Sequence, residues 1–138
     1  MQGKRAILVI LVVDIANVMG SRPDGWWRDR AGAATRTMVA LAPLIGTEVP
    51  APPGFSDDVV SFERIVAVIE GKSRAATDPP GLEVVRAPAD GDTTIVEVAQ
   101  QLLAGGEVPL VVTADRGLRD RLPVGSQVAG PGWLLGRL

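Results

Sequence analysis

The chain of 138 residues contains neither cysteine nor histidine. The first absence excludes disulfides, thiol catalysis and thiolate zinc sites. The second removes the usual general base, the Ser-His pair and the commonest transition-metal ligand. Any chemistry therefore falls to carboxylates, with a hard metal ion as their natural assistant. Aromatic residues make up 4% of the chain and tyrosine is missing, so the core must be built from Val, Leu, Ile and Ala. Lysine is nearly absent: Lys4 and Lys72 stand against twelve arginines. The net charge of −2 supplies no bulk basic field, so any nucleic-acid contact must be local. No segment is apolar for the ~18 residues of a membrane span. The opening run, Ala6 to Val13, ends on Asp14 without a small-x-small cleavage site, which argues against a signal peptide. These absences predict a cytoplasmic protein with no membrane partner.

What is present is a hydrophobic content of 46%, enough to exclude disorder, in a length that suits one domain over residues 1–138. Ala6 to Val13 is β-branched-rich and apolar on both alternating faces, as expected of a central parallel strand covered on each side. Arg64 to Glu70, Leu82 to Pro88 and Val108 to Asp115 read the same way, and Ser126-Gln-Val-Ala-Gly is a weaker fifth. Arg28 to Leu41 and Thr93 to Ala104 carry helical periodicity, the latter stopped by Gly105-Gly106. Leu118 to Leu122 suits a short polar helix. Pro43 to Asp58, with four prolines, suits an irregular crossing loop. The alternation predicts a three-layer α/β/α domain with a mostly parallel sheet of four to five strands.

Ligands of open parallel sheets bind at the carboxyl ends of the strands. The first run ends at Asp14 and the second at Glu70. The third is followed by Asp90-Gly-Asp92, and the fourth ends at Asp115. Each confident strand thus delivers a carboxylate to the same sheet edge. Two carboxylates ~4 Å apart repel by about 4 kcal/mol at an effective dielectric near 20, which invites a divalent cation. Mg²⁺ or Mn²⁺ bound there suits attack of water on a phosphodiester. The alternative is local: Asp92 ahead of TTIVEVA and Asp115 ahead of RGLRDRL both suit helix N-caps. Asp14 is followed by IANVMGSRPDG, which does not read as an immediate helix, and Glu70 is a poor cap type.

The blocks VVDIANVMGSRPDGWWRDRAG, IVAVIEGKSR, APADGDTTIVEVA and VVTADRGLRDR resemble the PIN-like domains of the NYN ribonuclease group. The likeness is greatest to a small single-domain bacterial branch, and it runs from the first strand to the terminal GPGWLL. It implies a PIN-like fold whose metal-centred acids are Asp14, Asp92 and Asp115, with Glu70 as a further acid. Asn17 matches the Asn of the strand-D-x-x-N block, where it would orient Asp14 or a metal-bound water. The resemblance thus implies a Mg²⁺- or Mn²⁺-dependent endoribonuclease acting on RNA, and a homodimer. Two positions depart from the pattern: Arg116 stands where many relatives carry another acid or a small polar residue, and Ile15 stands where relatives carry Gly directly after the first Asp. A bulky residue there implies a different turn, and with it a PIN-like RNA- or protein-binding module of weak or absent catalysis.

Trp26 and Trp27 are adjacent and must point apart. One reading packs one of them under the first helix and seals the loop with the other. The second makes Trp26 a stacking surface for an unpaired base. Of the arginines near the proposed edge, Arg22 and Arg74 are the candidates for substrate phosphate, and Arg28, Arg116 and Arg119 suit surface pairing. Ser21, Ser73 and Thr113 have no basic partner to make them nucleophiles. No G-x-G-x-x-G or Walker glycine loop follows the first strand, which sets aside a generic nucleotide-binding domain.

Overall fold

The computed structural model describes residues 5–138. β1 (Ala6–Asp14) lies at the centre of a six-stranded sheet. It pairs in parallel with β3 (Val59–Ile69) on one side and with β5 (Pro109–Val112) on the other. β6 (Gln127–Ala129) extends the β5 side in parallel. On the other flank β3 is long enough to carry two partners along one edge. β2 (Glu48–Pro50) pairs antiparallel with its first residues, and β4 (Glu83–Arg86) pairs in parallel with its last.

Five α-helices cover the sheet: α1 (Ile15–Gly20), α2 (Arg30–Leu41), α3 (Gly91–Ala104), α4 (Arg116–Arg121) and α5 (Pro131–Leu135). The apolar character of β1 on both faces now has its reason. Val9, Leu11 and Val13 join Ala34, Met38 and Leu41 of α2 in one core. Ile10 and Val12 join Ile95 and Leu102 of α3 and Leu118 of α4 in a second. Two cores with the sheet between them make the three-layer α/β/α domain that the alternation predicts.

β3 changes its allegiance part-way. Val60 and Phe62 lie in the first core, yet Val66 and Val68 lie in the second. The cause is a bulge: Val9 pairs with Phe62 but Ile10 pairs with Arg64, leaving Glu63 as an extra residue. One inserted residue exchanges the two faces of everything that follows.

Several expected boundaries shift. The second expected strand starts five residues earlier, at Val59, because an edge partner and β1 both support its lower half. The proline-rich crossing holds a short edge strand, β2, ending at Pro50, where a missing N–H is tolerated at the sheet margin. Arg28 belongs to a single 3₁₀ turn, Trp26–Arg28, and α2 begins only after Asp29 caps it. The polar helix starts at Arg116, ahead of Leu118. α5 is an addition, whose Trp133 indole N–H donates to the Pro50 carbonyl at 3.3 Å.

α4 is short, and its fully buried Leu118 is its anchor to the second core. Leu118→Ala should therefore lower stability by about 2–5 kcal/mol, measured by urea denaturation. Val124→Ala, at a side chain entirely in solvent, should stay within about 0.5 kcal/mol of the parent.

Candidate carboxylate site

Strand alternation decides which side chains meet at the carboxyl edge. The row Ile10–Val12 of the second core continues to Asp14. After the bulge, the row Val66–Val68 continues to Glu70, and in β5 the row through Val111 continues to Thr113. Three neighbouring strands therefore finish the same apolar layer with polar groups. α3 and α4 begin over that rim, adding Asp92 and Asp115.

Asp14 is the centre of the bonded network. It is 6% exposed. Its Oδ1 accepts from the backbone N–H of Asn17 at 3.3 Å and its Oδ2 from the Thr113 hydroxyl at 3.0 Å. Thr113 Oγ1 in turn accepts from the Asp115 N–H at 3.1 Å, so one hydroxyl ties the end of β1 to the start of α4. The Asn17 side chain reinforces the same junction, its Oδ1 accepting from the Ala114 N–H at 2.8 Å. Asn17 thus contacts Asp14 through its backbone, while its side chain pins the β5–α4 loop. Thr113, unremarkable in the sequence, is the residue that joins the two acids. Its only sequence signal was a hydroxyl two residues before a strand-end Asp.

The segment after Asp14 is helical from Ile15, contrary to the expectation of no immediate helix, and Asp14 is its N-cap. Ile15 needs no glycine-like backbone: no residue other than glycine has positive φ among the described residues. Its side chain is fully buried in the first core. The departure at Ile15 therefore leaves an ordinary helix start and adds core packing.

On the other side, Asp90 is the cap of α3, accepting from the Thr93 N–H at 2.8 Å. The alternative reading of the sequence offers that role to Asp92. Asp92 instead falls in the first turn, half-buried, with its carboxylate outside the hydrogen-bond network of the described residues. Glu70 Oε2 accepts from the Gly91 N–H at 2.9 Å, which ties β3 to α3. Gly91 eases that approach, since a Cβ would lie 3.1 Å from Glu70 Oε1 and the carboxylate would have to give by a few tenths of an ångström. Asp115 caps α4 through the Leu118 N–H at 3.0 Å and is exposed.

The acids act on one another. Burial, reinforced by the charges of Asp92 and Glu70, pushes the Asp14 carboxyl from 3.8 up to about 6. The hydrogen bonds from Thr113 and Asn17 oppose that shift and do not cancel it. Asp92 is also raised, by burial first and then by Asp115, Glu70 and Asp90. Asp14, Glu70, Asp92 and Asp115 therefore share one electrostatic neighbourhood. Among the described residues no three acids stand close enough to form a finished metal cage, and no enclosed pocket forms. A hard cation would be held by a few carboxylates with water completing its shell, as Mg²⁺ commonly is. The oxygen-only donor set and the mutual repulsion that raises Asp14 and Asp92 fit such an ion.

The arginines divide. Arg74 donates to the carbonyls of Gly71, Ala87 and Pro88, at 3.2, 3.3 and 3.4 Å, bracing the loops after β3 and β4. Arg119 donates to the Thr113 carbonyl through Nε and Nη2. Arg121 donates to Thr93 Oγ1 at 3.2 Å. Asp90 is lowered chiefly by its hydrogen bonds from Thr93, with a small contribution from Arg121, whose charge also opposes, without cancelling, the rise of Asp92, a role the sequence did not single out. Arg22 is half-buried, its guanidinium without a hydrogen bond among the described residues. Trp26 is half-buried against the first core.

A carboxyl whose folded pKa is raised binds its proton more tightly in the native state. Stability from Asp14 is therefore full below pH 4 and lost as pH rises to about 6. A shift of that size corresponds to about 3 kcal/mol. In metal-free buffer, Asp14→Asn should gain on the parent across this window, and the gap should level off above it. Urea denaturation at pH 4 to 8 measures the difference, and a gap independent of pH would contradict the burial of an ionised Asp14.

No family model and no curated protein matches the chain in sequence. In three dimensions the chain is similar to a point mutant of Rae1 (YacP) from Bacillus subtilis. The TM-score is 0.69 at 19% identity, over 93% of this chain and 73% of that one. At that identity the likeness is one of fold, and the fold is a PIN-like α/β/α domain.

Proposed function

We propose that this protein is a metal-dependent endoribonuclease that hydrolyses RNA phosphodiesters at the carboxyl edge of its sheet. The observation that carries the reading is the Asp14 carboxylate, buried at the end of an apolar row, held by Thr113 and the Asn17 N–H, and close enough to Asp92 and Glu70 for their charges to help raise it to about 6. Asp14, Asp92 and Asp115, with Glu70, would hold Mg²⁺ or Mn²⁺. Such an ion, when bound, lowers the pKa of water and offsets charge on a phosphorane-like transition state.

The chain's own groups have separable tasks. Thr113 and the Asn17 backbone N–H hold Asp14 in one rotamer, with both of its oxygens directed. The Asn17 side chain fixes Ala114, and so the position from which Asp115 leaves the sheet. Glu70 holds the start of α3 and presents Asp92 in the first turn. Arg121 limits the repulsion on the α3 side, and Arg22 is free to meet a phosphate.

A second reading keeps the fold and RNA binding without cutting. It is favoured by the capping of α1 and α4 by Asp14 and Asp115 and by the lack of a finished cage. RNA cleavage with Mn²⁺ separates the two. The nuclease reading expects Asp14→Asn, Asp92→Asn and Asp115→Asn each to lose about 100-fold or more in rate, on the scale of removing a charge-stabilising group. It also expects a chelator to abolish wild-type activity. Equal, chelator-insensitive activity in all four proteins would overturn it. RNA bound by the wild type without product would favour the second reading.

A further inference from the structure

The segment SRPDGWWRDRAG between α1 and α2 has no part in the carboxylate network, yet it is built with care. Gly25 takes φ 78°, a left-handed position open to glycine at little cost, and launches the 3₁₀ turn Trp26–Arg28. Asp29 Oδ1 then accepts from the Gly32 N–H at 2.9 Å to start α2. A Cβ on Gly32 would collide with Asp29 Oδ2, so that glycine makes room for the cap. The backbone of the turn is therefore defined at both ends.

The two indoles are not equivalent. Trp26 packs on the first core, 3.8 Å from where a Cβ on Gly20 would lie. Trp27 is 55% exposed, a large apolar surface for a water-facing position. Their rings meet edge to face, with centroids 5.9 Å apart at 88°. The Arg28 guanidinium lies 5.8 Å over Trp27, and that of Arg30 lies 5.3 Å over Trp26. Among the described residues, Arg22, Arg28, Arg30 and Arg36 make no ion pair, whereas Arg64 and Arg86 pair with acids. In the segment itself Arg22, Arg28 and Arg30 stand against Asp24 and Asp29, and Asp29 is engaged as the cap of α2, so in a chain of net charge −2 the cation nearest the exposed aromatic is Arg28.

We infer that Trp27 and Arg28 form a stacking platform for an unpaired base, and that the RNA taken by this protein is single-stranded. A base inside a duplex already has neighbours on both faces and cannot lie on an indole. A strand with unpaired bases can, while adjacent arginines meet its phosphates. Trp26, the sequence candidate, serves as the edge-on support and Trp27 as the contact. Along the chain the platform follows Asp14 by way of α1, whose six residues rise about 9 Å, and the turn Ser21–Gly25. The inference rests on the RNA reading of the carboxylate site for the nature of its ligand, and not on cleavage.

The test is fluorescence anisotropy of a labelled ten-nucleotide oligouridylate with the full chain in EDTA, where no metal-assisted cleavage can occur. Trp27→Ala should weaken binding by about 10- to 100-fold, and Trp27→Phe should restore most of it. Arg28→Ala should reduce the salt slope by about 1. An RNA duplex of the same length should bind more weakly and ignore Trp27→Ala. Unchanged affinity in Trp27→Ala, or a duplex bound as tightly as the strand, would overturn the platform. So would a lower melting temperature in Trp27→Ala that accounts for its loss of binding. Wild-type binding with no Mn²⁺-dependent product would remove the nuclease reading and leave the platform. Cleavage by Trp27→Ala at unchanged KM would do the reverse.

Discussion

A carboxylate buried at the end of an apolar row organises this molecule. Asp14 follows Ile10 and Val12 on the face that packs against α3, so its side chain enters a layer otherwise filled by Val, Ile and Leu. Burying an ionised group without a cation is unfavourable, and hydrogen bonds alone do not offset it here. What they do is fix geometry. Thr113 and Asn17 each reach from their own element to the β1 end and to the β5–α4 loop, so the site's shape is set by the same bonds that close the fold.

The bulge at Glu63 matters as much as any side chain in the site. Were β3 to continue the alternation of Val60 and Phe62, Glu70 would face α2. The inserted residue turns Glu70 to the α3 side, where its carboxylate holds the Gly91 N–H. Glycines then keep space beside two of the acids: a Cβ on Gly117 would lie 3.2 Å from Asp115 Oδ1, much as one on Gly91 would crowd Glu70. Room around these oxygens is a property of the backbone, and it is what a hard ion or a phosphate would need.

The layer order and the strand-end acids were legible in the sequence because both follow from burial. A strand covered on two faces must be apolar throughout, and the first polar residue marks where cover ends. The bulge was invisible, since nothing in FERIV announces an unpaired residue. α1 was missed because Ile15, Val18 and Met19 look like a continuing apolar run, while the capping contact of Asp14 depends on Asn17 folding back. The choice of Asp90 over Asp92 as cap has a similar cause: in ADGD either acid can cap, and Glu70 binds the Gly91 N–H while Asp90 takes that of Thr93. Tertiary contacts, absent from any local window, settled the bulge and the choice of cap, whereas α1 turned on a capping bond three residues long.

Manganese is the direct probe of the shared neighbourhood, since its anomalous scattering locates the ion independently of activity. In crystals of the wild-type protein soaked in Mn²⁺, the account predicts a peak bounded by Asp14, Glu70, Asp92 and Asp115, lost in Asp14→Asn. A map with no peak among these four residues, or with manganese bound only elsewhere on the surface, would contradict it.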